Sequence, residues 1–240
     1  MLVLAWDTSS GVASLGLCRA DGLGRAQALE IVHGDGLGSH SSFLPPAVKA
    51  LLGRHGLTPS GLDLVAAGRG PGSFTGLRTG LALAKGLAMG AGKPVLGVPS
   101  LAVLAGAFPG PGLVAPLVDA RHGELFAALF RQGQGGGCPE QVSDILVLRP
   151  DLAMPALREL AGPAEEVAIG GPALGLLPPL AQGFALGPAA PPDPAILAAQ
   201  AAFFLARGLE AECPAVPLYG RSPDIFKKWV PPARLSPPAV

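Results

Sequence analysis

The stretch that decides the fold is GRGPGSFTGLRTG, residues 68–80, which continues as LALAKGLA at residues 81–88. The apolar residues 62–67 precede it and predict a strand. The glycines then predict a tight turn. Ser73 or Thr75 is expected to begin a helix, because its side-chain oxygen can accept a hydrogen bond from an unpaired amide of the first helical turn. The sequence therefore predicts a strand, a glycine turn and a helix.

Small residues recur at every fourth position of this predicted helix, at Gly76, Gly80, Ala84 and Ala88. A glycine inside a helix costs about 1 kcal/mol relative to alanine, so two glycines in one stripe need a structural reason. We interpret the stripe as a docking surface that lets another helix approach closely. On this interpretation, the substitution Gly80→Arg should abolish pairing with the partner and leave the monomer folded.

Two alternatives remain for the same stretch. The small residues could serve tight packing of the helix on its own strands, with no partner. A glycine turn before a helix can also bind phosphate. However, the phosphate-loop motif GxxxxGK[ST] is absent, Lys85 lies too far along the helix, and the glycine spacing does not match a dinucleotide-binding fingerprint. Phosphate binding by this turn alone is therefore the least favoured of the three.

Composition excludes several classes of protein. The 17 basic residues equal the 17 acidic ones, and no dense basic stripe is present, which argues against nucleic-acid binding by the chain acting alone. The three scattered cysteines predict neither a disulfide framework nor a metal site, and so favour a reducing, cytoplasmic location. Two long uncharged runs, residues 94–118 and 167–192, are broken by prolines and glycines, so we predict no membrane segment.

The order of predicted elements repeats along the chain. Each unit begins with hairpin strands, and the first strand ends at Asp7 in one unit and at Asp119 in the other. In the second unit, residues 124–131 predict the hairpin partner and residues 141–148 a third strand. Helices and further strands follow in both units. The duplicated plan predicts a two-lobed α/β fold of the actin-like, ribonuclease-H-like type, with mixed sheets flanked by helices.

The domain boundaries follow from this repeat. Residues 1–99 are predicted to form the N-terminal lobe and residues 100–193 the C-terminal lobe. A helix at residues 194–207 is expected to pack back on the N-terminal lobe. Residues 208–240 are assigned to a C-terminal tail, because the proline pairs at 231–232 and 237–238 are typical of a loose chain end.

Four motifs resemble the TsaB (YeaZ) family in residue type, order and spacing. They are AWDTS at residues 5–9, HS with LP at 40–41 and 44–45, GPGSFTGLR at 70–78, and DARHGE at 119–124. The segments YGR at 219–221 and FKK at 226–228 also resemble the end of that family. GPGSFTGLR is highly specific, whereas only the order of elements supports the resemblance between residues 132 and 195.

The resemblance implies a non-catalytic subunit of the bacterial machinery that makes threonylcarbamoyladenosine on tRNA, at the adenosine beside the anticodon. It implies a catalytic TsaD-like paralogue and a TsaE-like ATPase as partners, contact with tRNA only through the complex, and a homodimer when the partner is missing. The helices expected near residues 40–54 and 75–90 would pack against the partner as a four-helix bundle. The residues expected at this interface are His40, Leu44, Thr75, Gly76, Leu77, Gly80, Leu81, Ala84 and Ala88.

The resemblance also implies the remains of an actin-like nucleotide site. Its residues would be Asp7, Thr8, Ser9, Asp119, Gly170 and Gly171. A nucleotide site needs a small, glycine-containing turn after Asp119 so that the backbone can approach phosphate, but Arg121 lies there. Pro172 follows the glycine pair, which lacks the polar residue expected to hold a nucleoside. We therefore favour turn-capping roles for the two aspartates. We expect no catalytic residue and no cofactor of the chain's own, while ATP or ADP at the joint with the partner stays open. The alternative is an independent actin-like ATPase or small-molecule kinase.

A metal site is not expected. The catalytic relatives hold a metal through two histidines one helical turn apart, which places both rings on one face. The four histidines of this chain are His33, His40, His55 and His122. No two of them are four residues apart, so His40 is interpreted as a capping or surface residue near a helix start.

Overall fold

The first lobe is built on a five-stranded mixed sheet. The computed structural model describes residues 1–36, 40–133, 138–163, 165–178 and 184–220. The strands of this sheet are β1 (Leu2–Asp7), β2 (Ser14–Ala20), β3 (Ala26–His33), β4 (Leu64–Gly68) and β5 (Val95–Val98). Their spatial order is β3-β2-β1-β4-β5, in which β2 is antiparallel to its neighbours while β1, β4 and β5 run parallel.

Two helices cover one face of this sheet. Helix α1 (His40–Arg54) precedes β4, and helix α2 (Phe74–Ala91) connects β4 to β5. Ser73 is the residue that caps α2: its Oγ accepts a hydrogen bond from the Gly76 amide at 3.2 Å. Gly92 ends the helix in the left-handed conformation, at φ 63°, which glycine adopts without strain. Both helices bury apolar side chains against Leu4, Trp6 and Val65 of the sheet.

The second lobe repeats the same sheet. Its strands are β6 (Gly112–Arg121), β7 (Glu124–Ala127), β8 (Phe130–Gln132), β9 (Glu140–Gln141), β10 (Leu146–Leu148), β11 (Val167–Gly170) and β12 (Ala185–Leu186). The main path is β10-β7-β6-β11-β12, and β8 pairs with β6 and β9 beside it. Helix α3 (Ser100–Ala105) packs in the core on one face, and α4 (Pro150–Ala161) packs on the other.

The two main paths have matching strand order and direction. In each lobe a three-stranded antiparallel meander is followed by two parallel strands at the other edge. This is the ribonuclease-H-like arrangement, and its duplication confirms the predicted actin-like, two-lobed α/β fold.

The segment after the second lobe returns to the first. Helix α5 (Pro194–Leu205) buries Leu197, Ala201 and Phe204 against the face of the first sheet that α1 and α2 leave free. The chain then passes beside β5, where the Gly97 amide donates to the Cys213 carbonyl at 2.9 Å. The Leu218 amide donates to the Arg69 carbonyl at 2.7 Å. These contacts correct the assignment of residues 208–220 to a tail, while residues 221–240 lie outside the described part of the chain.

Candidate partner-binding face and inter-lobe cleft

The small-residue stripe of α2 faces the interior of its own lobe. The Trp6 Nε1 donates to the Gly80 carbonyl at 3.1 Å, and the Thr8 Oγ1 donates to the Gly76 carbonyl at 2.8 Å. A Cβ atom at Gly76 would collide with the Thr8 carbonyl, and one at Gly80 with the Thr8 hydroxyl. The stripe therefore exists because the end of β1 approaches the helix closely.

This geometry corrects the prediction that the stripe is a docking surface. Seven of the nine residues expected at the interface are buried within the monomer: Leu44, Gly76, Leu77, Gly80, Leu81, Ala84 and Ala88. The substitution Gly80→Arg would place a long side chain where Thr8 lies, so it is now expected to disrupt the fold instead of leaving the monomer intact. Tight packing on the chain's own strands explains the stripe.

The exposed face of α2 lies beside the predicted stripe. Met89 is 83% exposed and Phe74 is 56% exposed, and Thr75 is exposed as well. Gly86 and Gly90 have no neighbouring atom within 4 Å of an added Cβ, and the same holds for Gly53 on α1. Sequence reasoning missed this face. The recurrence of Ala82, Gly86 and Gly90 at every fourth position was the signal that could have found it.

His40 begins α1 and is half-buried. Its Nε2 lies 3.1 Å from the Ser10 carbonyl oxygen, which ties the start of α1 to the turn after β1. His40 was interpreted as a capping or surface residue near a helix start, and the structure places its ring against the turn after β1 instead of on an amide of α1. Among the described residues, no group of three or more His, Cys, Asp or Glu side chains is arranged to hold a metal ion.

Asp7 is the centre of a buried hydrogen-bond network at the end of β1. Its Oδ1 accepts from the Ser9 amide at 2.7 Å and from the Ser9 hydroxyl at 2.6 Å. Its Oδ2 accepts from the Ser100 hydroxyl at 2.5 Å, and the Ser100 Oγ in turn accepts from the Gly70 amide at 3.1 Å. Burial raises the pKa of the Asp7 carboxyl, although these hydrogen bonds oppose the shift. The carboxylate thus joins the first strand, the glycine turn and the start of α3.

Asp119 holds the turn between β6 and β7. Its Oδ1 accepts from the Arg121 amide at 2.7 Å, and its Oδ2 lies 3.3 Å from the Arg121 guanidinium. Arg121 and His122 have φ values of 64° and 55°, in the left-handed region that residues with a side chain rarely adopt. Asp119 therefore has the hydrogen bonds of a turn-capping carboxylate.

The residues expected in a vestigial nucleotide site do not fit a nucleotide. Asp7 is 0% exposed and both of its oxygens are engaged. A Cβ atom at Gly170 would meet the Phe108 ring and the Pro188 carbonyl, and one at Gly171 would meet the Leu117 carbonyl. The glycine pair thus serves close packing against Phe108, Leu117 and Pro188, and among the described residues it leaves no open cradle for an adenosine.

A cleft between the lobes lies beside the Asp119 turn and the start of α2. Its volume is about 600 Å³, and residues from three parts of the chain form its walls. The first lobe contributes the start of α2, at Ser73, Phe74 and Thr75; the β6–β7 turn contributes Arg121 and His122; and Tyr219 comes from the segment after α5. A smaller cavity of about 290 Å³ lies on the other side of Arg121 and includes His40 and Thr79.

Comparison with known proteins identifies the family. A family model described as "TsaD: tRNA N6-adenosine threonylcarbamoyltransferase" matches residues 37–150. The Escherichia coli (strain K12) protein named tRNA threonylcarbamoyladenosine biosynthesis protein TsaB is 33% identical over 165 residues, which cover 68% of each chain. The chain belongs to the TsaB (YeaZ) family. The resemblance seen in the sequence motifs is therefore confirmed.

Two further TsaB (YeaZ) relatives agree. The TsaB protein of Bacillus subtilis (strain 168) is 35% identical over 136 residues, which cover 56% of this chain and 57% of that protein. The solved structure of YeaZ from Pseudomonas aeruginosa superposes with a TM-score of 0.70 and 31% identity, covering 91% of this chain and 99% of that one. The E. coli and B. subtilis proteins are both named for the biosynthesis of tRNA threonylcarbamoyladenosine.

Across the described residues, no helix is both long enough and apolar enough to cross a bilayer.

Proposed function

We propose that this TsaB-family chain is a non-catalytic subunit that activates a catalytic TsaD-like paralogue in threonylcarbamoyl transfer to the adenosine beside the tRNA anticodon. The observation that carries the proposal is the exposed face of α1 and α2 in a chain of this family. Met89 projects from it almost fully exposed, and open glycines surround it. A contiguous apolar patch on the surface of a monomer often marks a site for another protein, and on this face Met89 lies among residues with little or no side chain, Ala82, Gly86 and Gly90.

The internal contacts of α2 support this role. Its buried side is fixed to β1 by the hydrogen bonds of Trp6 and Thr8, so the exposed side is held rigid before a partner arrives. A pre-ordered surface loses less conformational entropy on binding than a flexible one. The exposed stripe of Ala82, Gly86 and Gly90 would let the backbone of a partner helix come close.

The state of the two aspartates supports a non-catalytic role. An actin-like phosphotransferase needs carboxylates that can reach a bound metal–phosphate group. Asp7 is buried and accepts hydrogen bonds from the Ser9 and Ser100 hydroxyls, and Asp119 accepts one from the Arg121 amide of its own turn. The chain is proposed to work with a TsaE-like ATPase and to meet tRNA within the complex, and to form a homodimer through the same face when alone. It needs no cofactor of its own, and ATP or ADP would lie at the joint with the partner.

An omission experiment tests the activating role. Threonylcarbamoyladenosine formation on tRNA is measured with the cognate TsaD-like protein, TsaE-like protein and adenylate donor, with and without this chain. We expect activity only when the chain is present and none from the chain alone. Undiminished activity without the chain would overturn the proposal.

A matched pair of variants tests the binding face. Met89→Arg places a charge on the exposed face of α2, whereas Leu160→Arg makes the same change at a 51% exposed position in the last turn of α4. Both variants should keep the thermal stability of the wild type, because neither side chain is buried. We expect Met89→Arg to reduce co-purification with the TsaD-like protein at least about tenfold, since an interface anchor typically contributes 2 kcal/mol or more. Equal co-purification of the two variants would show that the face is placed wrongly.

A further inference from the structure

Two aromatic rings stand together at the mouth of the inter-lobe cleft. The Phe74 ring is more than half exposed, and its centroid lies 5.0 Å from that of Tyr219. The Arg78 guanidinium carbon lies 5.2 Å from the centroid of the Phe74 ring. Tyr219 is partly buried. An exposed aromatic ring with an adjacent guanidinium is the kind of surface on which an unpaired nucleobase stacks. The folding core does not require Phe74, because most of its surface remains in water.

Among the described residues that line this cleft, Arg121 is the one permanently charged side chain. Arg121 and His122 are on its wall, and no carboxylate side chain lines it within the described residues. The Arg121 guanidinium lies 3.3 Å from Asp119, but the Arg121 side chain is 63% exposed. Exposed ion pairs of this kind contribute little free energy, so the guanidinium can share its hydrogen bonds with an incoming anion. The cleft therefore combines a surface for a planar ring with a guanidinium and an imidazole that can donate hydrogen bonds to an anion.

We propose that the cleft holds one unstacked nucleotide of a single-stranded RNA, with its base against Phe74 and Tyr219 and its phosphate beside Arg121 and His122. The volume of about 600 Å³ lies within the range of about 300–1,000 Å³ that is usual for small-molecule pockets. The choice of RNA as the source of the nucleotide rests on the proposed function. It extends that function, because the chain then contributes an RNA contact of its own instead of acting only on its partner.

A single-nucleotide contact is compatible with the neutral charge of the chain. Tight binding to a duplex needs many phosphate contacts and hence a basic stripe. Stacking of one base, assisted by one guanidinium, gives a weak and local interaction that becomes useful when a partner holds the rest of the RNA. We therefore expect the isolated chain to bind a short RNA weakly but saturably.

The test is a titration of the full chain into a fluorescein-labelled, unstructured ten-nucleotide RNA at low ionic strength, followed by fluorescence anisotropy. We expect Arg121→Gln and Tyr219→Leu each to weaken binding by about tenfold. Arg149→Gln is the matched control, because Arg149 is 68% exposed and pairs with Asp151 at 3.0 Å on the surface of the second lobe. It should stay within about twofold of the wild type, since it is not on the cleft. Phe74→Leu, at an exposed position, replaces Tyr219→Leu if that variant melts early.

A second arm uses AMP to distinguish the sources of the nucleotide. Displacement of the labelled RNA by AMP supports recognition of one base and its phosphate. Binding of AMP without saturable binding of RNA overturns the RNA assignment, and so does an equal loss of binding in Arg121→Gln and Arg149→Gln. Both arms use the chain alone. Their failure alongside intact co-purification with the TsaD-like protein would remove this inference and leave the proposed function standing.

Discussion

Alanine at Gly80 and alanine at Gly86 should change the stability of this chain in opposite directions. Both glycines lie inside α2, so each substitution gains about 1 kcal/mol of helix propensity. Gly86 has open space around it, and the gain should be realised there as a stabilisation of about 0.5–1 kcal/mol. The pair therefore separates the intrinsic effect of removing a glycine from the effect of its surroundings.

At Gly80 the new methyl group would meet the Thr8 hydroxyl and lie 3.4 Å from the Trp6 Nε1. Overpacking of a close contact costs about 1–3 kcal/mol. Displacement of Thr8 and Trp6 would also weaken two buried hydrogen bonds, each contributing about 1 kcal/mol. After subtraction of the propensity gain, Gly80→Ala should destabilise the chain by about 1–4 kcal/mol.

Urea unfolding, followed by far-ultraviolet circular dichroism, measures both changes. The midpoint of unfolding should rise for Gly86→Ala and fall for Gly80→Ala relative to the wild type. If Gly80→Ala is as stable as Gly86→Ala, the close approach of β1 to α2 does not exist as described and the stripe has another cause.

Three further predictions follow from the same structure. Burial raises the pKa of Asp7 in the folded state above its value in the unfolded chain. The neutral Asp7 carboxyl therefore contributes its full stability below the ordinary carboxyl pKa, and this contribution is lost as the pH rises through the folded-state pKa. The advantage of the wild type over Asp7→Asn in free energy of unfolding should therefore shrink between pH 4 and neutral pH, and a difference that stays constant over this range would refute it. His122→Gly should raise the melting temperature, because glycine avoids about 1–2 kcal/mol of left-handed strain and loses only about 0.5–1 kcal/mol in chain entropy; an unchanged or lower value would contradict the assigned turn. Binding of the TsaD-like partner should slow amide hydrogen exchange at residues 73–75 as well as along α2, and protection confined to the exposed residues near Met89 would show that the two ends of the helix are uncoupled.

The α2 stripe shows what periodicity in a sequence can and cannot reveal. A spacing of four residues identified Gly76, Gly80, Ala84 and Ala88 as one helix face and predicted that something packs closely on it. It could not say which element does so, because a strand of the same chain and a helix of another protein need the same small residues. The contacts of Trp6 and Thr8 were therefore invisible until the fold brought residues 6–8 against residues 76–80.

The second lobe was predicted in outline but not in detail. Residues 124–131 and 141–148 were each expected to form one strand, whereas the structure divides the first into β7 and β8 and the second into β9 and β10. The division arises because the long strand β6 pairs with β8 along its first residues and with β7 along its last. Ser143 stabilises the break, since its Oγ accepts from the Leu129 amide at 2.8 Å. Such pairing depends on residues distant in the chain, which local patterns do not report.

The capping role expected for Asp119 predicted a turn here, but not the left-handed conformation of both Arg121 and His122. Glycine is the usual residue at positive φ, and the chain has instead two residues with large side chains. Their position became apparent only when the turn closed over the start of α2 and the aromatic pair beside it.

Helix α2 is held on the first sheet by the hydrogen bonds of Trp6 and Thr8, and it extends across the first lobe. At about 1.5 Å per residue, its 18 residues span about 27 Å from Phe74 beside the cleft to Ala91 just past Met89. Because Trp6 and Thr8 hold the start of the helix, we expect a displacement of its far end to be transmitted towards the cleft. A protein bound at Met89, far from the cleft, could in this way change the width of the cleft. The hydrogen-bond network of Asp7 would shift as well, because it includes Ser9 and Gly70 next to the start of α2.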